Sequence, residues 1–176
     1  MCAKTFGRDI TTQQELEEAV ATYMARAAEK LRQQDSLTAL LTVFIQTNRF
    51  QTEQPQYANT FTVDIAYPTA FTPELIRYAL EGLNAMYRPG YRYRKAGVYL
   101  GHITPGEVVQ PDLFGAFFPD IHHQQGRLMF ILDALNHIYG PNTLFFAAQG
   151  IARPWAMRQR WLSPHVTTRW NEILTV

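Results

Sequence analysis

Between positions 87 and 95 cationic and aromatic side chains are interleaved: Tyr87, Arg88, Tyr91, Arg92, Tyr93, Arg94 and Lys95, with Pro89-Gly90 turning the chain among them. Cations on a turn that leads into a strand suit the tracking of a phosphate row, since each neutralises one phosphate and displaces its counterions. The other reading is a solvated sheet edge on which the arginine stems lie along the tyrosine rings. Spacing leaves both open. A second candidate is Gln110-Pro111-Asp112-Leu113-Phe114, where two large apolar residues follow a glutamine and an acid in a stretch without helical or strand periodicity. Such a peptide either inserts Leu113 and Phe114 into a partner's pocket, with Gln110 as polar anchor, or tucks them back onto its own domain.

Chemistry of other kinds finds few residues to carry it. There is no glycine-rich phosphate loop, His-Glu-x-x-His, cysteine pair or nucleophile elbow. Asp9, Asp64, Asp112, Asp120 and Asp133 fall in different elements, so spacing places no two of them to share metal ions. His122-His123, with His102, His137 and His165, read as solvated side chains. No catalytic residue, metal site or cofactor is therefore expected in these 176 residues. Sixteen basic against fifteen acidic side chains leave a net charge of +1, too little to draw the chain onto a polyanion from a distance, so any phosphate contact must be local. The single cysteine, Cys2, excludes an internal disulfide framework, no apolar run approaches the ~20 residues of a membrane helix, and the start MCAKTFGRD lacks the apolar core of a signal peptide. A cytoplasmic protein that does not enter membranes is expected.

Hydrophobic periodicity marks out the elements that must position these residues. A short strand is expected over Lys4 to Ile10. From Thr12 to Gln34, Leu16, Ala19, Val20, Tyr23, Met24, Ala27 and Leu31 form one apolar helical stripe, and Thr12 with Glu15 has the form of a capping box. Leu37 to Asn48 sets Leu41, Val43 and Ile45 against Thr42, Phe44 and Gln46, a strand with one more apolar face. Thr60 to Ala66 alternates likewise, and Pro68 is expected to stop it. Thr72-Pro73-Glu74 then offers an N-cap, a proline at the first helical position and an acid in the first turn for a second helix running to about Tyr87. Tyr91 to Gly101 is the last strand. The order β-α-β-β-α-β predicts an α+β fold: a four-stranded sheet, two helices on one face and the other face open. Prolines and glycines beyond Gly101 suggest a linker, after which Leu128, Ile131, Leu132, Leu135 and Ile138 mark a helix from Arg127 to Tyr139. A strand-like run, Leu144 to Ala147, follows. Trp155, Trp161 and Trp170 then add large rings that need cover from the main domain or from a partner.

Thr5-Phe6-Gly7-Arg8, Leu41-Thr42-Val43-Phe44-Ile45-Gln46-Thr47-Asn48 and Tyr91-Arg92-Tyr93-Arg94-Lys95-Ala96-Gly97-Val98 resemble the C-terminal part of Y-family translesion DNA polymerases of the UmuC type. Asn142 to Ile151, Trp155-Ala156-Met157 and Ser163-Pro164-His165-Val166-Thr167-Thr168 resemble that family's C-terminal region. The resemblance implies a little finger over residues 1–104, a linker over 105–126 and an accessory region over 127–176, small and mainly helical. It implies duplex template-primer DNA on the open sheet face, with Arg8, Arg94, Lys95, Gln46 and Arg92 as contacts. It makes Gln110, Asp112, Leu113 and Phe114 a peptide for the sliding clamp. For the tail it implies a UmuD-type accessory dimer or a recombinase filament as partner. The family's catalytic carboxylates lie in a palm domain outside the matched part, so this chain is expected not to polymerise DNA by itself but to serve damage tolerance in the SOS response. The competing expectation is a stand-alone adaptor that binds proteins and no DNA.

Overall fold

The computed structural model describes residues 1–106 and 119–157. Four strands, β1 (Cys2–Ile10), β2 (Ser36–Thr47), β3 (Ala58–Thr69) and β4 (Tyr93–Pro105), form one antiparallel sheet in the spatial order β1-β4-β2-β3. Helix α1 (Gln13–Gln33) connects β1 to β2, and α2 (Thr72–Met86) connects β3 to β4. Leu41, Val43 and Ile45 of β2 and Ala96, Val98 and Leu100 of β4 pack against Leu16, Val20 and Met24 of α1 and Leu75, Ala79 and Leu83 of α2, all buried. Each large side chain of that kind stabilises the fold by ~1.5–3 kcal/mol. The α+β arrangement with one covered and one open sheet face is thus the one that the alternating strands and the two helical stripes imply.

Several local expectations give way to tertiary contacts. Pro68 does not stop β3, which continues to Thr69; β3 is an edge strand, where a residue without an N–H is tolerated because its outer side has no ladder to serve. Thr12 occupies the N-cap of α1 in extended geometry but makes no side-chain cap, and Glu15 pairs with Arg8 instead of closing a capping box. Phe71, not Thr72, is the N-cap of α2. The Thr72 hydroxyl instead accepts a 2.7 Å hydrogen bond from Arg32.

Helix α3 (Pro119–Tyr139) begins eight residues before Arg127, within the stretch expected to be linker, and runs through Gly126. A glycine inside a helix costs only ~1 kcal/mol, and Pro119 is well placed at the first position. No strand forms over Leu144 to Ala147; a 3₁₀ turn over Ala147–Gln149 takes its place. The described part of the tail folds back on the main domain. Arg32 of α1 donates to both carboxylate oxygens of Asp133 at 2.7 and 2.8 Å and to the Ala70 carbonyl at 2.9 Å, tying α3 to α1 and to the start of α2. Trp155 is 3% exposed and meets Phe6 and Tyr23 edge-on, with ring centroids 6.3 and 5.8 Å away. Its carbonyl accepts from the Gly7 N–H at 3.0 Å. Burial in this cluster pushes the Tyr23 phenol well above its ordinary range, with Cys2 adding a smaller effect in the same direction. No helix among the described residues is long and apolar enough to cross a membrane.

A candidate nucleic-acid interface

The face of the sheet away from the helices carries rows of side chains set by the register. Thr5, Lys95, Gln46 and Ala58 lie opposite one another in one row, Ala3, Gly97, Phe44 and Thr60 in the next, and then Tyr99, Thr42 and Thr62. Alternation along each strand sends the neighbours of these residues into the core, which is why the open face is built from Thr, Gln, Lys and aromatic residues. Gly97 is a requirement of the packing: a Cβ there would stand 2.5 Å from that of Ala3 and 2.6 Å from the Phe44 ring. Its absence lets Phe44 lie across the sheet, where the Lys95 ammonium sits 5.9 Å from the ring centroid. The Thr42 and Thr62 hydroxyls are 3.0 Å apart, a cross-strand pair between the two strands.

Of the five residues that the resemblance assigns to DNA, Lys95 and Gln46 are register partners on the open face. Arg94 is the extra residue of a bulge, because Gln46 faces Lys95 while Thr47 faces Tyr93. The bulge re-aims the Arg94 side chain toward β1, where it donates to Asp9 at 3.3 Å. Arg8 lies near the end of β1 and is ion-paired with Glu15 of α1. Arg92 is exposed just before β4 begins and has no ion pair among the described residues. All five therefore belong to one end of the sheet, where β1 and β2 finish and β4 starts. Gln110, Asp112, Leu113 and Phe114 lie outside the described residues, as do Trp161 and Trp170.

The turn from α2 into β4 is fixed by Tyr93. Its buried hydroxyl accepts from the Arg88 N–H and donates to the Arg88 carbonyl, both at 2.9 Å. Burial is the main reason its phenol is harder to ionise than usual. The Arg88 guanidinium lies 5.1 Å over Tyr57, whose ring is 5.0 Å from that of Tyr91. In this turn Arg88 lies along a tyrosine, as the solvated-edge reading expects, and Arg92 is exposed to solvent. The sequence reading missed Arg49, in the loop after β2, which donates to Gln46 Oε1 at 3.3 Å and so joins the Lys95 row. A single arginine in a polar loop has no periodicity; the signal available was only its position just past the strand that carries Gln46.

Among the described residues no three of His, Cys, Asp and Glu come together as metal ligands. Of the adjacent histidines, His122 is partly buried, and that burial, with His123 beside it, holds it below the ordinary histidine range. Asp133 and Asp9 are engaged with arginines.

A family profile described as the impB/mucB/samB family C-terminal domain matches residues 1–113, and one described as Domain of unknown function (DUF4113) matches residues 126–176. The chain is 38% identical over 176 residues to the protein UmuC of Salmonella typhimurium strain LT2, which covers 100% of this chain and 41% of that protein. It is 37% identical over 173 residues to the protein ImpB of Salmonella typhimurium, covering 98% of this chain and 40% of that protein. Against the protein MucB of Escherichia coli it is 37% identical over 171 residues, with 97% and 40% covered. The chain thus spans about two-fifths of the length of these relatives, and the UmuC-type resemblance drawn from its motifs is borne out. The chain belongs to the impB/mucB/samB family, and carries that family's C-terminal domain over residues 1–113.

Proposed function

We propose that this chain is a non-catalytic portion of an error-prone translesion DNA polymerase, a UmuC-like little finger that grips template-primer duplex DNA in SOS damage tolerance in the bacterial cytoplasm. The observation that carries this reading is the helix-free sheet face with Lys95 and Gln46 side by side, and with Arg8, Arg49, Arg92 and Arg94 near the same end of the sheet. A flat face of hydroxyls and cations recognises sugar and phosphate and reads no sequence. That two of the arginines are ion-paired does not oppose it. Exposed pairs contribute only ~0–1 kcal/mol, so exchanging Glu15 or Asp9 for a phosphate costs little. The test is duplex binding by the full chain as salt is varied. With Arg8, Arg92, Arg94 and Lys95 each on one phosphate, log affinity is expected to fall with log salt at a slope of about −3.6, the same for unrelated sequences. No duplex binding at low salt would reject the reading.

The peptide from Gln110 to Phe114 is proposed to dock on a sliding clamp, with Leu113 and Phe114 as buried anchors, Gln110 at the pocket rim and Asp112 beside it. Proline at its second position stands where leucine is common in such peptides. A tether of this kind raises the local concentration of a weakly charged domain at the primer end. Truncating a well-buried anchor costs ~2 kcal/mol or more. Leu113→Ala with Phe114→Ala is therefore expected to abolish clamp binding in a titration of the parent chain at micromolar affinity, and undiminished binding would eliminate the motif.

Residues 127–176 are proposed as an accessory region for a UmuD-type dimer or a recombinase filament. Supporting this, Leu128, Phe130, Ile131 and Ile138 of α3 are all more than half exposed. The same exposed residues favour the second reading, a protein-interaction adaptor without DNA binding, which the salt titration separates from the first.

A further inference from the structure

Phe50 is 93% exposed in the loop between β2 and β3, the highest value among the exposed large apolar side chains of the described residues. A large ring left in water forgoes the burial that Phe6 gains in the core and that Phe44 and Phe61 gain in part. The loop that carries it is well hydrogen-bonded. The Phe50 N–H donates to Asn48 Oδ1 at 3.1 Å and the Gln51 N–H to the Asn48 carbonyl at 3.2 Å. Gln56 Nε2 donates to the carbonyls of Gln51 and Gln54 at 2.8 and 3.1 Å, and the Thr47 hydroxyl donates to Gln56 Oε1 at 3.0 Å. The ring is therefore displayed on a preorganised platform, which lowers the entropic cost of engaging a ligand. Its neighbour Arg49 holds Gln46, the register partner of Lys95, so the loop that displays the ring lies at the cationic end of the sheet.

A ring next to cations matches a ligand that offers a π-face and a phosphate together. A protein partner fits less well, since one ring buries ~150–250 Å², well short of the ~800 Å² per partner of a standard interface. A base inside a duplex has both faces covered and must be unstacked before a side chain can lie on it, whereas an unpaired base has a face free. We infer that Phe50 is a stacking residue for an unpaired nucleobase, at the point where a DNA strand leaves the duplex held on the open face. The inference rests on the duplex-binding reading and adds to it a preference for a junction between double and single strand.

The test compares the full chain on a blunt duplex and on the same duplex with a single-stranded overhang, using 2-aminopurine as the first unpaired base. The parent is expected to bind the overhang DNA about ten-fold more tightly and to quench the 2-aminopurine, the effect of one stacked base. Phe50→Ala is expected to remove both the preference and the quenching while leaving blunt-duplex affinity within about two-fold, and Phe50→Trp to keep both. Salt-dependent duplex binding with no preference in the parent, or an equal loss on both DNAs in Phe50→Ala, overturns the inference and leaves the duplex reading standing. No binding to either DNA at low salt overturns both.

Discussion

Replacing Arg8, Arg94 and Lys95 together by alanine is expected to lower duplex affinity by about two to three orders of magnitude at ~0.1 M salt, and to make the salt slope shallower by about 2.7. Each cation seated on a phosphate contributes about 0.9 to that slope, so three contacts together account for the change of about 2.7. Lys95 faces the open side directly, whereas Arg8 and Arg94 first have to leave Glu15 and Asp9. The paired acids supply a second arm: Glu15→Gln with Asp9→Asn frees both arginines and is expected to tighten binding several-fold at low salt, an advantage that shrinks as salt rises. Anisotropy titrations at several salt concentrations read both variants, with thermal unfolding as the control for folding. A triple variant with an unchanged slope would show that the open face does not carry the phosphates.

Trp155→Ala is expected to destabilise the whole described unit by ~3–5 kcal/mol, the usual loss when a fully buried tryptophan is truncated. The ring is nearly inaccessible and closes a three-ring cluster with Phe6 of β1 and Tyr23 of α1, themselves stacked at 6.5 Å. Removing it uncovers core residues of two other elements and leaves a cavity, so the loss should appear as one cooperative transition shifted to lower denaturant, with a fall in Tm on the order of 10 °C. Trp155→Phe keeps most of the ring's volume in the cluster and should cost less than the alanine. A Trp155→Ala chain within 1 kcal/mol of the parent, a margin of about one RT ln 5, would mean that the segment after α3 is an appendage. For the same reason a truncation after Gly126 removes Asp133 and Trp155 from Arg32, Phe6 and Tyr23, and is expected to weaken the little finger rather than release it intact.

The candidate interface was legible in the sequence only as far as local geometry reaches. Gln46 and Lys95 fall on the open face because residues two apart in a strand share a side, and that parity can be counted without coordinates. Arg49 and Phe50 join the same end of the sheet because the long loop after β2 folds on its own side chains, Asn48 and Gln56 above all. No period marks such a loop. The bulge at Arg94 and Lys95 breaks the strand count: it turns the Arg94 side chain to Asp9, a partner that the spacing of the strand does not mark.

What the sequence by itself determined is the element order and the two faces of the sheet: periods of 2 and 3.6 are properties of the local backbone, and a face rich in Leu, Val and Ile has to be buried wherever the chain goes. Tertiary structure decided the rest. Pro68 stays within a strand because β3 lies at an edge, a position that depends on the other three strands. Thr12 and Glu15 form no capping box because Glu15 has Arg8 as a partner, and Thr72 yields the N-cap to Phe71 while its hydroxyl serves Arg32. Trp155 belongs to the core of the main domain because Phe6 and Tyr23, more than a hundred residues away in the chain, leave room for its ring. Contacts between distant residues depend on which surfaces meet after the sheet has formed, and neither composition nor spacing encodes that meeting in any single stretch of chain.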